Sequence, residues 1–318
     1  MHRQRISSAF LLALLLLAPP AQGADLEETV AAEPGGRLVV ELGLGIGLRE
    51  DRGALEVIGH DEPVVAVETE TTGWGADAVE FTLERDDTGV RLAARVEGAT
   101  SWLFGGPRVE VRIRVPRPYD LDLRTTAGPV RVQGTQGNLR IRSDDGDVEL
   151  REVSGEIKVR VLTGSVEAAD VSGALEVKTA DGELEIAGVD GELRARTTLG
   201  DIDIERVTGA VAARAAEGDV DLRGVEGPIE VRTGSGAIRA GFRGNPRGAI
   251  ETVDGGIDVS FPTAAAADLD ARGATLELGA GVAFEGEHAS GQAVGALGGG
   301  GDPLWLRATT GRIRLSRR

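Results

Sequence analysis

Between Gly128 and Gly236 a glycine falls at every ninth residue without a miss, passing through Gly182 and Gly191 on the way. The second and fourth residues after each of these 13 glycines are apolar in every case, from Val130 and Val132 to Ile238 and Ala240. In a strand, alternation with period two puts positions +2 and +4 on one face and +1, +3 and +5 on the other. A glycine at a fixed interval lets the chain turn through a conformation that a Cβ penalises. Two short strands and two corners then make one closed coil. The full period is 18 residues, because Val153, Val171, Val189, Val207 and Val225 add an apolar residue at +7 in alternate units. One corner is therefore expected to tuck a valine inward. The opposite corner is expected to carry smaller residues such as Ala180 or Ala216.

The pattern predicts an all-β, single-stranded parallel β-solenoid, right-handed, with 18 residues per coil in two nine-residue half-coils. Residues 128–236 make six coils, roughly 29 Å at ~4.8 Å per strand step. A coil buries about five side chains, and the larger ones contribute on the order of 1.5–3 kcal/mol each. Ordering its backbone costs about 1–2 kcal/mol per residue. A lone coil is unstable, so stacking must supply the remainder. Composition agrees: 47 of 318 residues are glycine and aromatics make up only 3%, which suits turned, repetitive β-structure with a thin core.

Residues 1–23 read as a signal peptide. Arg3 and Arg5 precede an apolar run of ten, Ala9–Ala18, and Ala-Gln-Gly before Ala24 offers a cleavage site. Ten residues make about 15 Å of helix against roughly 30 Å of hydrocarbon, so cleavage is expected and no membrane span thereafter. Residues 24–118 form an N-terminal β-rich region and cap, with strands over 37–42, 54–58, 64–69, 78–83, 90–96 and 109–115. Asp86–Gly89 supplies a hairpin turn, and Pro116 and Pro118 stop pairing. Residues 119–260 are the solenoid repeats, and 261–318 are C-terminal coils and a cap. There, 289–301 is expected to be a mobile glycine-rich loop. Leu304–Leu315 is expected to close the C-terminal edge as a late-docking repeat strand.

The formal charge is −17, and loss of Arg3 and Arg5 with the leader takes it to −19. Such a surface repels nucleic acid and anionic lipid. Cysteine is absent, which excludes disulfides, thiolate metal sites and a cysteine nucleophile. After the leader only His60 and His288 remain, without metal-ligand spacing, and there is no G-x-S-x-G elbow or P-loop. Calcium-binding nonapeptide repeats share the period but carry more glycine and one apolar position where this chain has two. No catalytic residue, cofactor or metal is expected.

The outward positions are ordered as well. At +1 and +3 in one strand set stand Asp147 and Glu149, Glu183 and Glu185, Asp201 and Asp203, and Asp219 and Asp221. At +5 in the other stand Arg142, Arg160, Lys178, Arg196, Arg214 and Arg232, preceded in register by Arg124. Stacked like charges repel, so each column is expected to lean on counter-charges across the corner. The bland account is a solvated surface; the sharper one is a docking surface for a charged envelope polymer or protein. Trp74, Trp102 and Phe104 sit in two loops and serve either as an exposed contact patch or as plugs for the open end of the stack.

Arg114-Val115-Pro116, then Leu121-Asp122-Leu123-Arg124-Thr125, lead into repeated T/A-x-x-G-x-Φ-x-Φ units. With Ser143–Leu150 and Thr309–Ile313, this resembles the bacterial DUF4097-type β-strand-repeat proteins, an adhesin-labelled family, over residues 30–315. The resemblance implies a β-helical fold and brings no catalytic residues. The expected function is an exported, non-enzymatic cell-envelope scaffold or adhesin-like binding module, in periplasm, envelope or outside the cell, with an envelope protein or polymer as partner. A polysaccharide-active β-helix enzyme and a self-assembling structural polymer are the alternatives; bactofilin-like filaments are disfavoured by the leader.

Overall fold

A computed structural model of the chain describes residues 25–33, 35–43, 54–73, 76–96 and 107–318. The expected leader at 1–23 lies outside the described residues. Those residues are nearly all strand, with one 3-10 turn at Ala76–Ala78. No helix among them is long and apolar enough to cross a membrane.

Each rung pairs in parallel with the residue 18 positions on. Leu139 lies opposite Ile157, Val166 opposite Leu184, and Leu193 opposite Val211. Successive half-coils alternate between two ladders. The first runs through Asp120–Thr125, Leu139–Asp145, residues 156–163 and 174–181, Leu193–Leu199, Val211–Glu217, Ile229–Ser235 and Gly248–Asp254. The second runs through Val130–Gln133, residues 148–154 and 166–172, Leu184–Asp190, Ile202–Val207, Val220–Val225, Ile238–Phe242 and Ile257–Phe261. The +2 and +4 side chains of both ladders are buried in one continuous core. A thin, two-sheeted solenoid results.

Glycine meets two demands at most of these corners. Gly191 has φ +147, and a Cβ on it would lie 2.0 Å from the carbonyl oxygen of Gly173, one coil earlier; Gly182 meets Gly164 in the same way on the other edge. Glycine stacks on glycine because no side chain fits between the turns. One extra residue enters after Gly236, where the pairing offset becomes 19 (Ile229 opposite Gly248), and the register then resumes at Gly255.

The valine corner is as expected: Val153, Val171, Val189, Val207 and Val225 are all buried. The opposite corner differs. Ala216 is exposed and Ala180 half-buried, while Leu162 and Val253 in the same column are each 58% exposed. The inward residue is the one before, at +6, and it is often a hydroxyl: Thr125, Ser143, Thr179, Thr197, Thr233 and Thr252 are buried. Thr197 Oγ1 donates toward the carbonyls of Leu199 (3.0 Å) and Gly182 (3.3 Å), and Thr233 does the same to Ser235 and Gly218. A threonine offers the corner carbonyls a hydrogen bond that alanine cannot.

Both ends depart from simple order. All six strands expected in the N-terminal region form, joined by Glu27–Ala31, which the alternation signal missed. Parallel pairing reaches back through this region. Arg37–Leu42 sits between Gly89–Val96 and Asp120–Thr125, and Ala54–His60 between Pro107–Pro116 and Val130–Gln133. The antiparallel strands Val79–Asp86, Val64–Gly73 and Glu27–Ala31 cover the outer edges. The Asp86–Gly89 hairpin forms, and Asp86 Oδ1 accepts the backbone N–H groups of Thr88 and Gly89. At the C-terminus, Pro303–Ala308 and Arg312–Arg317 do not close the edge. They fill the space between Gly248–Phe261 and the outermost coil, Ala267–Arg272 with Thr275–Leu278. The glycine-rich segment expected to be a loop contains a strand, Gln292–Leu297, paired with Ala267–Arg272 and Phe284–Ala289.

Candidate functional site: two oppositely charged sheet faces

Because inward positions share one core, the outward residues of the two sheets point away from each other. Over its seven rungs from 120 to 232, the first sheet carries ten Arg or Lys and six Asp or Glu at outward positions. Over the seven rungs from 129 to 241, the second carries four and ten. The chain is thus a plate with a positive face, here called the arginine sheet, and a negative face, the acidic sheet.

On the arginine sheet the register brings together all seven expected cations. Arg124, Arg142, Arg160, Lys178, Arg196, Arg214 and Arg232 stand opposite one another in a single column. A glutamate closes it at each end: Glu41 opposite Arg124, Glu251 opposite Arg232. Pairing is uneven. Arg124 reaches Glu41 at 2.9 Å, Arg214 reaches Glu230 at 2.6 Å, Arg232 reaches Glu251 at 3.1 Å, and Lys178 meets Glu176. Arg142, Arg160 and Arg196, with Arg140 beside them, have no carboxylate within 4 Å among the described residues. Counter-charges come from the same face, one rung or two residues away, and not across the corner. At the N-terminal end Asp122 is 3% exposed and accepts from Arg37 at 2.9 Å and Arg124 at 3.3 Å.

On the acidic sheet five carboxylates occupy consecutive rungs at +3: Glu149, Glu167, Glu185, Asp203 and Asp221. Arg131 and Arg239 bound this run. Arg151 bridges Glu149 and Glu167, and Arg223 bridges Asp203, Glu205 and Asp221. The hydrogen bond from Arg151 holds the Glu149 carboxyl below the usual range. The hydrogen bonds that Arg223 donates to Glu205 and Asp221 make its guanidinium still harder to deprotonate. The +1 column has a structural task. Asp147 accepts the backbone N–H of Ser165 at 2.8 Å, Asp201 that of Asp219, and Asp219 that of Ala237, both at 2.7 Å. Glu183, Glu185 and Asp201 have no cation within 4 Å among the described residues. They lie at and just beyond one end of a shallow depression of about 310 Å³ that also takes in Arg131, Asp147 and Glu149. No three of the described acids converge as a metal-binding group.

Trp74, Trp102 and Phe104 lie outside the described residues. His60 spans a turn, with Nδ1 accepting from Glu62 N and Nε2 donating to Val64 O; His288 is in an exposed strand. One aromatic residue was missed as a site residue. Trp305 belongs to an internal strand and points outward from the arginine sheet, 46% exposed. The outward-alternation rule places it there once its strand is known to lie inside the stack.

The family model described as Toastrack DUF4097 matches residues 61–289. No curated protein matches the chain. Among solved structures it is similar to a "putative cell adhesion protein" from Clostridium sporogenes ATCC 15579, at 15% identity over 92% of this chain and 100% of that one, with a TM-score of 0.22. It is similar to a "putative lipid binding protein" from Parabacteroides distasonis ATCC 8503, at 12% identity, 92% and 97% coverage and a TM-score of 0.36. A "putative adhesin" from Bacteroides fragilis NCTC 9343 is 10% identical over 94% and 99%, with a TM-score of 0.33. With 13 clocked glycines stacked in register and a family match over most of its length, the chain belongs to the Toastrack DUF4097 family.

Proposed function

We propose that this chain is an exported, non-enzymatic binding module of the cell envelope, and that its arginine sheet holds a linear anionic polymer. The observation that carries this reading is the column of seven cations in which Arg142, Arg160 and Arg196 have no carboxylate within 4 Å among the described residues, Arg160 and Arg196 acting on Glu176 and Glu230 only at longer range. Neighbouring unit charges one rung apart repel by on the order of 1 kcal/mol even in a water-like dielectric. The fold does not require them, since outward positions elsewhere hold alanine at Ala169, Ala187, Ala210 and Ala212. A polymer with regularly spaced anions would relieve the repulsion along the whole column. The net charge of −17 does not forbid this. At physiological salt the screening length is about 8 Å, so a thin chain lying on one face meets that face's charge.

The test is a titration of fluorescently labelled polygalacturonate into the purified chain at several salt concentrations. Binding that weakens linearly in the logarithm of salt is the expected outcome. No binding at any salt would overturn the reading. Release of reducing sugar from the polymer would move the chain to the polysaccharide-active alternative.

A further inference from the structure

Strand Pro303–Ala308 lies inside the arginine sheet, with Gly248–Asp254 on one side and Ala267–Arg272 on the other. Its central outward residue, Trp305, is the bulkiest exposed apolar side chain among the described residues. Register puts Ala249 beside it on one flank and Asp270 on the other. Ala249 offers only a methyl, so the sheet does not fill that flank.

The surroundings are polar and held in place. Arg307 donates to Asp270 Oδ2 at 2.8 Å and to the Asp270 carbonyl at 2.7 Å. Arg247 donates to Asp302 at 3.2 Å. That guanidinium hydrogen bond from Arg307 keeps the Asp270 carboxyl ionised to lower pH than usual. Asp270 Oδ1, on the strand that flanks Trp305, and Arg247 Nε are shielded from solvent without a hydrogen-bond partner, although Arg272 Nε lies 3.3 Å from the former. The cation column leads to this spot, for Arg232, Glu251 and Arg307 are successive rungs of one column.

An exposed indole beside a fixed carboxylate–guanidinium pair, Asp270 with Arg307, suits a ligand with one apolar face and a hydroxylated rim. A pyranose ring has both: its C–H face covers the indole, and its hydroxyls meet the charged groups. A bare polyphosphate has neither. We infer that the polymer on the arginine sheet is an acidic glycan, with Trp305 as the stacking platform for one of its sugar rings. This rests on the reading of the arginine sheet as an anion-binding face.

The experiment compares polygalacturonate with linear polyphosphate of matched charge. Both are titrated into the wild-type chain, the Trp305→Ala and Trp305→Phe variants, and a triple Arg142→Gln/Arg160→Gln/Arg196→Gln variant. Trp305→Ala is expected to weaken the glycan by about tenfold or more and polyphosphate by less than about twofold, with Trp305→Phe keeping most glycan affinity. The triple variant is expected to weaken both. Equal glycan affinity in wild type and Trp305→Ala, with the triple variant still impaired, overturns the platform and leaves the arginine sheet standing. Failure of both polymers to bind wild type overturns the arginine-sheet reading and this inference with it. A wild-type dimer that Trp305→Ala dissociates, seen by light scattering, would assign the platform to a second copy and overturn the glycan.

Discussion

At the scale of single residues, the coil is set by backbone conformation more than by side-chain chemistry. Before the valine corner the chain adopts left-handed φ at every coil: Gly134, Glu152, Asp170, Gly188, Arg206 and Gly224. Three of these lack glycine's freedom, and the left-handed region costs an ordinary residue about 1–2 kcal/mol. Glu152→Gly, Asp170→Gly and Arg206→Gly are each expected to stabilise by up to about 1 kcal/mol after glycine's extra unfolded-state entropy is deducted; urea titration measures it. Gly191→Ala should destabilise by several times that amount, because its Cβ meets the Gly173 carbonyl, whereas Gly244→Ala, with open space around it, should be neutral. A pH test follows from Asp270. Hydrogen bonding by Arg307 lowers its pKa in the folded state. The resulting stability is therefore present above the unfolded carboxyl range and is lost as pH falls through the folded value. Asp270→Asn is expected to melt below wild type at pH 7, with the gap narrowing as pH falls below the ordinary carboxyl range; a gap that does not change with pH would contradict the assignment.

Elements carry a different lesson. The nine-residue glycine interval, the inward +2 and +4 residues and the valine corner could all be read from the chain, because burial and close backbone approach leave periodic marks. The threonine corner left a mark too, in Thr179, Thr197 and Thr233 at +6. Apolarity was the wrong signal there: these inward residues pair their hydroxyls with corner carbonyls, and Ala216 faces solvent. The order of coils at the ends could not be read. A coil inserted out of sequence obeys the same alternation as one stacked in sequence, so Leu304–Leu315 looks like an edge strand while lying inside the stack. Val189→Asp should cost several kcal/mol by burying an unpaired charge, and an unchanged melting temperature would mean that the corner is open. Removal of residues 303–318 should cost more than trimming an edge, because it deletes a coil paired on both sides. Hydrogen exchange should then show protection lost on both flanks, Gly248–Phe261 and Ala267–Leu278.

For the whole molecule, the outward columns were legible residue by residue, since alternation alone assigns +1, +3 and +5 to the surface. What spacing could not show was how they pair. Arg151 and Arg223 neutralise acidic rungs from within their own face, while Arg142, Arg160 and Arg196 have no carboxylate within 4 Å among the described residues. Trp305 stayed hidden for the same reason as its strand. The ends also bear on self-association: the outer strands Val79–Asp86 and Phe284–Ala289 carry Glu80, Glu84 and Asp86, and Glu285 and Glu287. Like charge at both ends opposes end-to-end stacking. Light scattering is expected to give a concentration-independent monomer.

The proposed role of Arg142, Arg160 and Arg196 is to serve a ligand and not the fold. It is tested most directly by measuring polygalacturonate affinity and melting temperature together in two variants. One is Arg142→Gln/Arg160→Gln/Arg196→Gln, and the other, on the opposite face, is Glu183→Gln/Glu185→Gln/Asp201→Asn. The arginine variant is expected to lose binding by about tenfold or more while melting no lower than wild type, and the acidic-face variant to bind at least as well as wild type. Unchanged affinity in the arginine variant, or equal loss from both faces, would contradict it.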